Sequence, residues 1–393
     1  MTSSIQRFGE EHEAFRKTVR AFAEKELAPN IPAWEEEGVF PAWVFKRAGE
    51  LGILGAHYPE EHGGAGGDYW FSAAKAEEYC HIGAGGVAMG LLVQSDMATP
   101  CISDLGTREQ IDEFLKPALR GERIAALGVS EPGAGSDVAG IRTTARKVGG
   151  DYVINGAKTF ITNGTRASFI TLLVKTDPEA GYGGISILLF PTDTKGFQVA
   201  KRLDKLGNWS SDTAELVFED CRVPARNLLG EEGKGFYYLM QNFQTERLIA
   251  AVGAVYASQL AVDRTVRYAR DRVAFGKPLI KREVWQHRLV DLYTQIEAAR
   301  QLSYHAVDCY NDERYVRKTG QLSFDTVKKI SMAKLLVGDL ADKVMDECLQ
   351  LHGGMGYMEE TFIARAWRDQ RLLRIGGGTS EVMRYAIAKI LGF

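Results

Sequence analysis

The sequence predicts an α+β chain in three parts: an N-terminal helical domain, a central antiparallel β-barrel or sandwich, and a C-terminal four-helix bundle. Three observations carry this. Apolar residues recur every three or four positions at both ends of the chain. Between about Ala125 and Leu229 the period drops to two with no helices interleaved, which excludes a Rossmann sheet. From Gly235 onward, near-heptad apolar seams repeat on successive long stretches. The 393 residues suffice for such a division, with boundaries expected at 1–124, 125–234 and 235–393.

Each part has its own signals. Met1 to Arg20 reads as an amphipathic helix, and Phe15, Val19, Phe22, Ala23 and Leu27 share one helical face until Pro29 stops the run. Gly63-Gly64-Ala65-Gly66-Gly67 breaks later helices but follows no strand, so it is not a dinucleotide loop. In the middle, Tyr152–Ile154, Asn155-Gly156 and Thr159–Ile161 form a strand–turn–strand signal and predict a hairpin. Further strands are expected at Phe169–Val174, Ile185–Phe190 and Ala214–Phe218. The bundle seams are Leu248, Val252, Val255, Gln259, Val262 and Val266, then Leu289 to Ser303, then Ile330 to Val344.

A net charge of −3 argues against a nucleic-acid binder. No run of 18 apolar residues could span a membrane. The N-terminus has neither a signal-peptide core nor an Arg/Ser-rich transit segment, so a cytoplasmic, bacterial setting is expected, or a mitochondrial matrix after processing. Five scattered cysteines and seven histidines show no ligand spacing; reduced thiols and no metal are expected.

Val129-Ser130-Glu131-Pro132-Gly133-Ala134-Gly135-Ser136-Asp137 concentrates hydroxyls, carboxylates and small residues in nine positions. Such a segment can cradle phosphate or the edge of a polar ring; a Pro-Gly turn with an Asp cap is the plainer alternative. It resembles the first signature of the acyl-CoA dehydrogenase family. Gln350-Leu351-His352-Gly353-Gly354-Met355-Gly356-Tyr357, followed by Glu360, Arg365 and Asp369, resembles the second. Arg272 to Lys277 and the terminal Gly378-Thr379-Ser380-Glu381 also match, in the correct order. The resemblance covers essentially the whole chain. It implies that family's fold, FAD, a fatty acyl-CoA substrate, reoxidation by an electron-transferring flavoprotein, and a homotetramer.

Desaturating an acyl chain removes an α-proton and a β-hydride, and no side chain can accept the hydride. The thioester enolate needs hydrogen-bond donors and a desolvated carboxylate over the α-carbon. Many relatives carry that carboxylate just before the terminal Gly-Thr-Ser, where this chain has Gly377. The long-chain and isovaleryl-type branches carry it in a Glu-Arg-Leu motif, which here is Glu246-Arg247-Leu248. Glu246 is therefore the expected base, with a raised pKa; a solvated carboxylate paired with Arg247 or Arg264 is the bland alternative. The backbone N–H of Gly377 is the expected carbonyl donor.

By the same resemblance, Val129 and Ser130 would meet the flavin ring edge, Ser136 the pyrophosphate region and the substrate, and Thr162 the vicinity of flavin N5. Phe160 would stand beside the ring toward the electron acceptor, although a strand-core role fits its period. Arg272, Phe275, Gln350 and Gly354 would contact the adenine half across a subunit pair, with Thr379 and Glu381 completing the cofactor set. Arg247 would lie near CoA or pair with Glu246. Gly376 and Gly377 leave room at the α- and β-carbons, which points to a long-chain or branched acyl group, then to isovaleryl, terpenoid or cyclic ones. The rivals are an oxidase, a monooxygenase and a non-catalytic acyl-CoA- or flavin-binding subunit. Termination at Phe393, soon after the last motif, favours a dehydrogenase over an oxidase.

Overall fold

The computed structural model describes residues 7–393; the first six residues of the predicted N-terminal helix lie outside them. α1 (Glu10–Ala21) runs into a π-helical turn, Phe22–Leu27, and buries Val19, Phe22, Ala23 and Leu27 on one face. The run ends at Leu27 just before Pro29, which lies in a short 3₁₀ turn, Ala28–Asn30; the next helical stretch, Ile31–Glu37, carries Pro32 in its first turn, where no N–H is needed. α2 (Tyr69–Tyr79) and α3 (Gly85–Leu92) follow, and α3 continues into a second π-helical turn, Val93–Ala98.

Eight strands form the middle: β1 (Ala125–Gly128), β2 (Thr144–Val148), β3 (Asp151–Thr162), β4 (Phe169–Lys175), β5 (Ile185–Pro191), β6 (Phe197–Arg202), β7 (Thr213–Pro224) and β8 (Leu228–Leu229). The order is β6-β7-β3-β2-β4-β5-β8, with β1 beside β4. The sheet is sandwich-like rather than a closed barrel. It is also not wholly antiparallel, since β4 pairs in parallel with β1 and β2.

The predicted hairpin at Asn155-Gly156 is absent. Those residues lie inside the continuous strand β3, where the register against β7 shifts between Ile154 and Gly156. Asn155 exchanges side-chain bonds with Asp220 instead of making a turn, accepting from its backbone N at 2.9 Å and donating to its Oδ1 at 3.0 Å. Gly156 is required by close approach: a Cβ there would fall 2.6 Å from the Thr143 Cα, at a φ of +148°. The sequence signal marks a bulge, and the turn into β3 falls at Gly149-Gly150.

α4 (Gly235–Asp271), α5 (Glu283–Asn311) and α6 (Phe324–His352) are the long bundle helices, with α7 (Phe362–Gln370) and α8 (Ser380–Leu391) packed on them. The predicted seams are buried, except that Gln259 and Val266 are half-buried. α4 belongs to two cores. Leu248, Val252 and Val262 join the bundle, whereas Leu239 and Ile249 join a cluster with Phe169 and Ile187 of the sheet and Met97 and Ile102 of the N-terminal helices. That shared helix fixes where the candidate site lies.

Candidate functional site

Glu246 sits on α4, the helix common to both cores. Its carboxylate has no hydrogen bond or ion pair among the described residues, so the alternative of a solvated carboxylate paired with Arg247 or Arg264 does not hold. Burial pushes its pKa up from the ordinary carboxylate value, against the opposing pull of Arg247 and Lys334. Arg264 instead stacks over the Phe362 ring at 5.1 Å. Arg247 turns to the glycine loop: its Nε donates to the Gly377 carbonyl at 3.2 Å, and its guanidinium lies 5.8 Å from the Phe243 ring.

The loop meets Glu246 closely. Gly377 has a φ of +65°, and a Cβ on it would lie 3.1 Å from Glu246 Oε1. Any side chain at 377 would begin at the carboxylate already supplied by α4. Gly376 is roomier, since a Cβ there would make ordinary contact with Leu372 at 3.6 Å. The N–H of Gly377 has no partner among the described residues, so it is free to serve as a donor.

Val129 and Ser130 follow β1 and are tied to β3. Val129 O accepts from Lys158 Nζ at 3.0 Å, and Ser130 O accepts from Thr159 N at 2.9 Å. Glu131 is an internal brace, receiving bonds from Lys158 Nζ at 2.8 Å and Thr143 N at 3.0 Å, and from the N–H of Arg142. Sequence reasoning missed Lys158, a lone inward-facing lysine in a period-two strand. Burial pushes its pKa down to about 8. Beyond this brace, the loop opens outward: Ser136 is exposed, and a Cβ on Gly133 or Gly135 would meet nothing within 4 Å.

Phe160 is not a strand-core residue. β3 bulges between Lys158 and Ile161, Phe160 takes a φ of +61°, and its side chain is 70% exposed. Thr162 is half-buried at the end of β3, opposite Thr213.

A third group surrounds a cavity of about 540 Å³ lined by Arg272, Gly354, Tyr268, His352 and Met355, among others. His352, to which the sequence reading gave no role, stacks on Tyr268 with ring centroids 4.3 Å apart, and its Nδ1 bonds Cys348 O at 2.7 Å. Its place inside the Gln350–Gly354 motif was the available signal. Gln350 is exposed on the last turn of α6. Phe275, 96% exposed at a φ of +48°, projects from a small hairpin pairing Ala274 with Lys277. Thr379 caps α8, accepting from Val382 N at 3.3 Å, and Glu381 is exposed in its first turn. Arg365 and Asp369 act between domains: Arg365 pairs with Glu35 at 2.7 Å, and Asp369 accepts from the backbone N–H groups of Gly85 and Asn208.

A planar, polar ring with a phosphate tail fits these residues. The loop after Glu131 offers open backbone and hydroxyls, and Phe160 is exposed near it on β3.

Residues 9–122, 126–221 and 233–392 match the N-terminal, middle and C-terminal domain models of acyl-CoA dehydrogenase. The chain is 40% identical over 384 residues to the mitochondrial long-chain specific acyl-CoA dehydrogenase of Mus musculus, covering 97% of this chain and 86% of that one. It is 39% identical over 381 residues to the human short-chain specific enzyme, covering 96% and 89%. Among solved structures, a probable acyl-CoA dehydrogenase from Mycobacterium abscessus superposes with a TM-score of 0.92 at 42% identity, covering 98% of this chain and 100% of that one. A glutaryl-CoA dehydrogenase from Mycobacterium smegmatis, solved in complex with FADH2, gives 0.88 at 29% identity, covering 99% and 96%.

Proposed function

Because the chain belongs to the acyl-CoA dehydrogenase family, whose members oxidise acyl-CoA thioesters with FAD, we propose that it desaturates a long-chain or branched acyl-CoA between C2 and C3, with Glu246 as the base. The observation that carries this reading is the meeting of Glu246 with Gly377. The family's two sequence positions for the base converge on one point in this fold, and here only α4 supplies a carboxylate.

Bound FAD supplies the acceptor for the β-hydride. The chain's residues do the rest. Glu246, unpaired and raised in pKa by burial, takes the α-proton. The Gly377 N–H stabilises the thioester oxygen as its charge grows. Val129, Ser130, Ser136, Thr162 and Phe160 are assigned to the flavin half, and Arg272, Phe275, Gln350, Gly354, Thr379 and Glu381 to the adenine half. The exposure of Phe160 supports electron delivery to an electron-transferring flavoprotein. The exposed Phe275 and Tyr357 support a homotetramer whose copies complete one another's adenine sites. The division at 1–124, 125–234 and 235–393 is kept as the functional one, and a cytoplasmic setting in fatty-acid oxidation fits this activity.

Glu246→Gln is expected to retain FAD and lose turnover by roughly 10²–10⁴-fold. A loss below about tenfold would remove Glu246 from the mechanism. The space at Gly376 favours a second reading, in which the acyl group is a short isovaleryl, a terpenoid or a cyclic one rather than a long chain. Comparing kcat/KM over straight, branched and cyclic thioesters separates the two.

A further inference from the structure

Lys334 is one of the most deeply buried cations in the molecule, 1% exposed on α6, and it lies in the apolar seam beside Ile330, Ala333 and Val337. Among the described residues it has no carboxylate within ion-pair distance. Asp339, the nearest acid on its own helix to influence it, is already held by Arg374 at 3.0 Å and Arg384 at 2.9 Å. An unpaired ammonium in such a seam costs more than a methionine of similar length would. What Lys334 does hold is the carbonyl of Gly378.

The neighbouring carbonyl, that of Gly377, is held by Arg247 from α4. Two buried cations from two different helices thus grip consecutive carbonyls of a loop whose glycines sit at φ of +65° and +99°. With both carbonyls drawn toward the helices, the Gly377 N–H is left without a protein partner. The same two cations are the charged groups acting on Glu246: Arg247 from its own helix and Lys334 from α6. Lys334 in turn is influenced by Arg247, Glu246, Asp339 and Glu381.

We propose that Lys334 is a positioning residue for the desaturation: it locks the Gly377–Gly378 loop so that the Gly377 N–H remains available to the thioester oxygen, and its charge holds Glu246 ready as a carboxylate. This rests on the reading of Glu246 as the base. Burial and Arg247 push the Lys334 pKa down to about 8, so the group gives up its proton more readily than a surface lysine. Its charge then fades through the mildly alkaline range.

The test uses the FAD-loaded enzyme and three variants, Lys334→Met, Lys334→Gln and Lys334→Arg. Flavin bleaching by an acyl-CoA is followed in single turnovers across pH, alongside the infrared carboxyl band assigned to Glu246 by its loss in Glu246→Gln. Loss of a nearby cation raises a carboxyl pKa, so in Lys334→Met both the acid limb and the band should move up by about 1 unit, within the usual range for such a pair. At neutral pH the bleaching rate should fall about tenfold or more, with substrate affinity little changed. Lys334→Arg should restore the wild-type midpoint. Lys334→Gln keeps a donor for Gly378 O without the charge; it should keep the shifted midpoint and remains informative if the methionine variant does not fold. A wild-type midpoint in both neutral variants, with bleaching within about threefold of wild type, would reduce Lys334 to a structural residue. An active Glu246→Gln would instead overturn the base assignment itself, so the two failures are distinguishable.

Discussion

At the scale of single residues, Gly377 and Glu246 constrain each other. Alanine at 377 would combine a strained φ of +65° with a methyl 3.1 Å from the Glu246 carboxylate. Gly377→Ala is expected to lower kcat by roughly 10²-fold, comparable with losing an oxyanion donor, while the flavin spectrum is retained. Glu246 also carries a stability cost. Its folded pKa is raised above the ordinary 4.5, so the folded state favours the proton, and the associated stability is present below pH 4.5 and lost as pH rises through the folded value. Glu246→Gln should therefore melt higher than wild type at pH 8, with the gap narrowing near pH 4.5 in calorimetry. The proposed base was suggested by the sequence because a loss at 377 coincided with a gain at 246. The role of Lys334 was not, since a lysine within a heptad seam reads as a solvated flank until the helix is placed.

At the scale of elements, legibility followed periodicity. The seams of α4, α5 and α6 are buried as their spacing required, and Ile296 and Val337 are nearly or fully inaccessible. Ile296→Ala should lower unfolding stability by about 2–5 kcal/mol in denaturant titrations. Strands β4 and β5 were equally plain, as near-continuous apolar runs. β3 was misread because Asn-Gly has two uses. The dipeptide permits the positive φ of a tight turn, and it equally permits a bulge against a neighbouring chain. Only the contact of Gly156 with Thr143 decides between them, and that contact spans 13 residues of sequence. The same strand bulges again at Phe160, and the second bulge turns a would-be core ring outward. The π-helical turn Val93–Ala98 had no sequence signal, yet its Asp96 carbonyl accepts from the hydroxyl of Thr245, the residue before Glu246, at 3.0 Å.

At the scale of the whole molecule, buried charge fastens the separate helices of the N-terminal domain to one another. Lys75 and Asp96, both fully inaccessible, pair at 2.7 Å, and Ser72 and Ser95 also donate to Asp96. Ser72 links this pair to His57, whose pKa burial pushes down to about 4. Asp96→Asn leaves the Lys75 ammonium unpaired and should destabilise the protein by about 3–5 kcal/mol. For His57 the folded value lies below the ordinary 6.5, so its contribution is present above pH 6.5 and is lost as pH falls through about 4. The wild-type melting temperature should drop across that window, and His57→Gln should flatten the drop. None of these long-range ties was visible in the sequence, where Lys75, Asp96 and His57 lie on three separate segments. The order of the three domains was visible, because the apolar period changes from three or four to two and back again along the chain.

Glu131 receives its bonds from Lys158, Thr143 and Arg142, all of them within the chain, so the loop beside it keeps its shape without help from a ligand. Reconstituting the flavin-free protein then becomes the filling of a finished mould. Hydrogen exchange along Val129–Glu131 should be almost as slow before FAD is added as after, and uptake should be limited by encounter rather than by refolding of the loop.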